Sequence, residues 1–253
     1  MRLLFGELVQ WRWVELGDER GLLFWMPRAK SQWDTGKYPL AQHVVYPAFA
    51  SGASPSLCGM AARQILELTH CESFVVKTID DGIVAALQAL VGAARSMRFE
   101  RALITFSRNG AVATTAAGDS PNDTDELHCF ASIPDSARAL LDAHDVYSPS
   151  DLATMFSSGD ARCWTVSRAN VPVAIALSFP NTTRLHEIGS LYVHPNVRRA
   201  GLGRRLVCAA LADLSARGLS VRYVVDAQNA ASIALAERCN LREAMRLAHW
   251  FVA

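Results

Sequence analysis

The sequence lacks long apolar runs, closely spaced cysteines and any marked excess of charge of one sign. No stretch approaches the roughly 20 apolar residues needed to span a bilayer. The apolar start Met1-Arg2-Leu3-Leu4-Phe5 meets Glu7 at once, unlike a secretory leader. The 6 cysteines are scattered at positions 58, 71, 129, 163, 208 and 239, with no C-x-x-C and no paired histidines. That spacing speaks against a structural zinc site and a disulfide framework, and leaves free buried thiols in a reducing compartment. A formal net charge of +1 points to neither a nucleic acid nor an acidic membrane surface. The expectation is a cytoplasmic protein, monomer or homodimer, without a metal.

With 51% hydrophobic and 19% charged residues, the 253-residue chain can bury a substantial core in one large domain or two small ones. Residues 109–125 are small, polar and turn-forming with no apolar period, which predicts a linker at 109–126 between a domain at 1–108 and another at 127–253. In the first half, Trp11, Trp13, Trp25 and Trp33 fall among short strands and loops. Ser54-Pro55 caps a helix with Leu57, Met60, Ala61, Ile65 and Leu68 on one face. A strand at 73–78, a helix opened by Asp80-Asp81-Gly82 with Ile83, Leu87, Leu90 and Val91 on one face, and a strand at 101–106 follow. The second half reads strand 127–131, helices 135–143 and 148–156, a hairpin at 162–166 and 172–179, and strand 185–193. Helix 201–217, strand 219–225, helix 230–239 and strand 244–252 complete it. This order belongs to a mixed α/β sheet, with hairpins early and crossover helices late.

One loop carries chemistry. After strand 185–193 come Arg198-Arg199-Ala200-Gly201-Leu202-Gly203-Arg204-Arg205. Glycines at a strand-to-helix turn let the backbone approach a ligand closely, and the first helical N–H groups present the positive end of the dipole. The arginines at 198, 199, 204 and 205 add positive potential, so the loop can cradle a pyrophosphate. The plain alternative is a tight turn. The third glycine of the dinucleotide fingerprint is missing and no G-K-[ST] follows, so the Rossmann and P-loop readings fail.

Strand, R-x-x-G-x-G, helix, strand and then Asn229-Ala230-Ala231-Ser232-Ile233-Ala234-Leu235 resembles the GNAT superfamily of N-acetyltransferases. Arg198, Gly201 and Gly203 occupy the family's Q/R-x-x-G-x-G/A loop; Asn229, Ser232 and Leu235 match a later N-x-x-[A/S]-x-x-L motif. The resemblance covers about residues 127–253 and is strongest from 185 to 241. It implies an acyl-CoA N-acyltransferase fold with splayed central strands, preceded by a second, smaller α/β domain. It implies acetyl-CoA as acyl donor, with its pantetheine arm along Leu191, Tyr192 and Val193 and its pyrophosphate on Arg198, Arg199, Ala200, Gly201, Leu202, Gly203 and Arg204. Asn229 and Ser232 complete the implied cofactor set, although Asn229 could serve as a helix cap alone.

An amine nucleophile needs a base. Glu187 resembles the glutamate of the histone-acetylating branch, which lies the same eleven residues before the loop's first arginine. Its plain alternative is a strand-start residue paired with Arg184. Simple alternation puts Glu187, Gly189, Leu191 and Val193 on one face and His186, Ile188, Ser190 and Tyr192 on the other. His186 and His194 are runners-up, read as surface or loop residues. Where the family usually has a thiolate-protonating tyrosine this chain has Ala236, and the family's Gly-Phe is Asn240-Leu241. Asn is the next best residue for a left-handed helix end.

The N-terminal half is either a degenerate copy of the same unit or an unrelated substrate-shaping domain. Its tryptophans are expected in the core rather than in an acceptor pocket. Three functions remain in view. The first is transfer of an acetyl group to a primary amine of a small molecule or peptide. The second is an acyl-CoA-binding regulatory module. The third, nucleic-acid binding through the arginines of 198–205, is weak because no aromatics interleave with them.

Overall fold

The computed structural model describes residues 9–50, 52–92, 95–108, 125–144 and 146–253. The expected linker falls outside these residues, apart from Asp125 and Glu126, which open a strand. The chain divides into two compact units, Met1–Leu103 with Met245–Ala253, and Ile104–Ala244. Among the described residues no helix is long and apolar enough to cross a membrane.

In the first unit, β1 (Gln10–Leu16), β2 (Glu19–Pro27) and β3 (His43–Phe49) form an antiparallel meander. A short helix, α1 (Gln32–Lys37), interrupts it between β2 and β3; no apolar period announced it. Then α2 (Pro55–Leu68) crosses over to β4 (Phe74–Thr78), which runs parallel to β3. α3 (Asp81–Val91) and β5 (Met97–Ser107) follow. Ser54 caps α2 and Asp80 caps α3, each accepting from first-turn amides, as their side chains predict. Leu57, Ala61 and Ile65 of α2 pack with Ile83 and Leu87 of α3 against Val14, Leu23, Val45 and Val76. Leu90 lies outside that stripe and is exposed. Trp25 and Trp33 pack against the unit's apolar clusters as expected, whereas Trp11 and Trp13 project from the edge strand β1, 59% and 52% exposed.

The second unit repeats the chain order. β6 (Asp125–Phe130), α4 (Asp135–His144) and α5 (Pro149–Phe156) lead into the antiparallel strands β7 (Arg162–Arg168), β8 (Val171–Pro180) and β9 (Leu185–Val193). The β7–β8 turn places Ala169 and Asn170 at φ 48 and 62, the mirror-image turn that matches strand twist. α6 (Leu202–Ala216) crosses over to β10 (Ser220–Asp226), parallel to β9. α7 (Ala230–Arg238) and β11 (Arg242–Val252) close the series. Thus β-β-β-α-β-α-β, the order from β7 to β11, also describes β1 to β5 once the inserted α1 is set aside. The mixed α/β architecture with a second α/β unit at the N-terminus is as the sequence implied.

Leu206, Val207, Ala210 and Leu211 of α6 bury against Val166, Ala174, Ala176 and Ile188 on one face of the second unit's sheet. On the other face, Ala137, Leu140 and Leu141 of α4 pack with Cys163, Ile175, Leu177 and Phe179. The end of α7 is a left-handed cap: Asn240 has φ 57, its N–H donates to Glu237 O, and that of Leu241 donates to Ala236 O. Asn240 thus does what glycine would do there.

Candidate functional site

β9 and β10 are paired only from Leu185–Ser220 to Ile188–Tyr223. Beyond that rung Gly189–Val193 and Val224–Asp226 have no mutual ladder, which is the splay that the resemblance implied. Glu187 and Arg222 form the rung before the last. A β-bulge between β8 and β9 shifts the register, with Leu177 opposite Gly189 but Ile175 opposite Tyr192. Ser190 sits there at φ 47. The extra residue reverses the faces, which corrects the simple alternation. Gly189 lies against Tyr147 and Phe179 on the α4–α5 side, whereas Leu191 and Val193 pack with the α6 core and Tyr192 with the α4–α5 core.

The 198–203 loop stands at the end of the splayed strand, with Gly203 against Leu191 and Val193. Gly201 is the N-cap of α6 at φ 77, a left-handed conformation that penalises any side chain, and no side chain caps the helix. Arg199 is also left-handed, at φ 67. A Cβ on Gly203 would meet Leu235, Leu191 and Val193 at 3.5–3.8 Å, ordinary contact distances, so packing alone does not demand glycine there. An open N-terminus on a 15-residue helix, with a glycine turn before it, fits a diphosphate.

The arginines do not converge on it as the sequence suggested. Arg198 Nε donates to Val193 O at 3.0 Å and its guanidinium lies 5.9 Å from the Tyr192 ring centroid, which braces the loop against β9. Arg205 turns away and donates to Asp125 O at 3.0 Å. Arg199 and Ala200 remain exposed on the loop. Asn229 caps α7, accepting from the Ser232 amide at 3.0 Å, and Ser232 hydrogen-bonds the Tyr223 phenol. Ala236 is fully buried in the α6 core, so nothing polar projects from that position.

Glu187 is buried, 8% exposed. Its Oε2 accepts from Arg222 Nε at 2.7 Å and from Asn181 Nδ2 at 3.1 Å. Its arginine partner is therefore its cross-strand neighbour and not Arg184, because strand pairing brings residue 222 directly opposite. His186 is 3% exposed and not a surface residue. Burial and the nearby Arg217 push its pKa down, and its Nδ1 lacks a partner. His194 is exposed and caps a short 3-10 turn through Asn196 N. Neither histidine joins Glu187.

One residue near Glu187 went unmarked in the sequence. Tyr147 stands on the residue before the α5 N-cap. Ser148 and Asp151 form a reciprocal capping box there, and Leu152 packs in the same apolar cluster as Tyr147. The ring meets Phe179 edge-on at 5.9 Å. Burial, and then the charge of Glu187, push the Tyr147 pKa up, so its phenol keeps its proton. The signal was present in Tyr-Ser-Pro-Ser-Asp-Leu, where a residue before a capping box often staples to the fourth helical position.

The first unit offers a contrast at the matching place. The Ser54 hydroxyl caps α2, and Glu19 accepts hydrogen bonds from both the Ser54 amide and its hydroxyl. That helix start already has a carboxylate.

Residues 127–241 match the family model of the GNAT acetyltransferases, somewhat under half of the chain. A GCN5-related N-acetyltransferase from Kribbella flavida is 14% identical, with 95% of this chain and 88% of that chain covered at a TM-score of 0.56. One from Sphaerobacter thermophilus is 15% identical over 94% and 81%, also at 0.56. A tandem GNAT protein from the clavulanic acid biosynthesis pathway is 13% identical over 98% and 83%, at 0.51. At such identities the likeness is one of fold. Comparison with curated protein sequences gives no significant match. Residues 127–241 thus match the GNAT acetyltransferase family model, in a chain whose fold resembles that of a tandem GNAT protein along almost its whole length.

Proposed function

We propose that the second unit transfers an acetyl group from acetyl-CoA to a primary amine of a small molecule or peptide. The observation that carries this reading is the uncapped helix start at Gly201 facing the splay of β9 from β10, with a buried carboxylate one rung inside it. When bound, acetyl-CoA supplies a thioester carbonyl open to attack by an amine. The amides of Leu202, Gly203 and Arg204 would hold its pyrophosphate, and the β9 edge at Leu191–Val193 its pantetheine arm. Of that edge the Val193 carbonyl is already engaged by Arg198. Glu187 accepts the proton of the incoming ammonium, directly or through a water, while Arg222 and Asn181 fix its carboxylate from one oxygen.

A second reading, an acyl-CoA-binding regulatory module, is favoured by Ala236, which leaves no phenol to protonate a departing thiolate. Thioester cleavage measured over a panel of amines, alongside calorimetric acetyl-CoA binding, separates the two. Turnover that falls in Glu187→Gln supports the enzyme. Tight binding without turnover on any amine, and no effect of Glu187→Gln, overturns it.

A further inference from the structure

The Tyr147 hydroxyl lies beside the first residue past the last β9–β10 rung. A methyl built on Gly189 would stand 3.2 Å from it and 3.3 Å from the Phe179 ring, so a side chain at residue 189 would crowd both rings by a few tenths of an ångström. Tyr147 is mostly buried, yet among the described residues its hydroxyl is neither hydrogen-bonded nor sealed from solvent. The capping box and the packing of its ring on Phe179 fix its position. A phenol held this firmly, with its oxygen unused beside Glu187, is equipped to meet a ligand atom.

The surroundings limit which ligand. On this side Phe179, Tyr192 and His144 form an aromatic wall, with His144 5.7 Å from Tyr192. Burial pushes the His144 pKa down, which leaves that ring neutral. The Glu187 carboxylate is already matched by Arg222, and Asp151 is committed to the capping box. An acceptor's apolar body gains from this wall, and a distal ammonium meets no unmatched carboxylate on it among the described residues, whereas the nearby cation is Arg198, 5.9 Å from the Tyr192 ring.

The geometry points to Tyr147 as the group that positions the acceptor's amino nitrogen beside Glu187, and to an acceptor that is a primary amine with an apolar, aromatic-sized body and no second positive charge. This inference rests on the acetyltransferase reading, but its test does not depend on turnover. Binding of 2-phenylethylamine, spermidine and a lysine-containing peptide is measured calorimetrically on protein saturated with CoA. KM and kcat with acetyl-CoA are measured in parallel. The expectation is that 2-phenylethylamine binds best. Tyr147→Phe should weaken that binding, and raise KM, by about tenfold, the loss of one neutral hydrogen bond. Its kcat and its affinity for acetyl-CoA should stay near wild type. Gly189→Ala, which crowds the phenol by a few tenths of an ångström, should weaken the binding in the same direction in protein whose circular dichroism is unchanged. Preference for spermidine or the peptide, no binding of any amine, or equal affinity in Tyr147→Phe would overturn the inference. Amine binding without turnover would sustain it while removing the transfer reading.

Discussion

Arg222 Nε lies 2.7 Å from Glu187 Oε2, one rung before β9 and β10 part. The pair sets a carboxylate in place at the base of the opening without filling it. Glu187→Gln keeps the shape and removes the proton acceptor, so kcat/KM should fall by about 10²- to 10⁴-fold, the usual range for a positioned base. Acetyl-CoA affinity should not change. A loss confined to affinity would assign Glu187 to binding instead.

Binding stoichiometry tests the difference between the two helix starts. Titration with acetyl-CoA should give one site per chain, because Glu19 and Ser54 already satisfy the start of α2. Gly201→Ala forces a Cβ into a left-handed residue at a cost of about 1–2 kcal/mol. It should weaken that single site and lower the melting temperature slightly. Two equivalent sites would refute the assignment.

The first unit holds a buried ion pair, Lys77 Nζ to Asp34 Oδ1 at 2.5 Å. Ser31 donates to the other Asp34 oxygen, and Lys77 also donates to Tyr46 OH at 2.9 Å while lying 4.8 Å from the Trp33 ring centroid. Lys77→Met strands a buried carboxylate and should destabilise the unit by about 3–5 kcal/mol. The double variant Lys77→Met/Asp34→Leu should recover most of that loss in urea unfolding. Additive losses would show that the pair is not coupled.

Acid should unfold the protein early, and His249 contributes to this. It is 1% exposed, and burial together with Lys77 and Arg101 holds its pKa down at about 3. The unfolded chain binds the proton at about 6.5, so His249's contribution is whole above that pH. It is lost as the pH falls towards 3, by up to about 1.4 kcal/mol per pH unit. His144 and His186 are shifted in the same direction and add to the slope. His249→Asn should give a shallower dependence of stability on pH between 6.5 and 4; an unchanged slope would exclude His249 as a source.

Much of the second unit could be read in the sequence because local chemistry and tertiary structure agree there. Strand 185–193 has the predicted bounds, Gly201 starts its helix, and Asn229 and Asn240 cap theirs. What could not be read depends on pairing. Whether Glu187 meets Arg184 or Arg222 is decided by the β9–β10 register, a contact 35 residues apart in sequence. The bulge at Ser190 carries no residue signature, since serine does not favour positive φ, yet it re-aims every side chain after it. The arginines of the loop shared a charge but not a direction: packing sent Arg205 to Asp125 and Arg198 to Val193. Trp11 and Trp13 alternate like core residues, and only their place on an edge strand exposes them.

The Glu19–Ser54 contact sets the start of α2 apart from that of α6. A helix start with no capping acceptor leaves its first amides to solvent or to a ligand. In the first unit the chain brings its own anion, so that helix is complete from the moment it folds. The start of α6, with Gly201 at its N-cap and no side-chain acceptor, is the reverse: its first amides are left to whatever the surroundings supply.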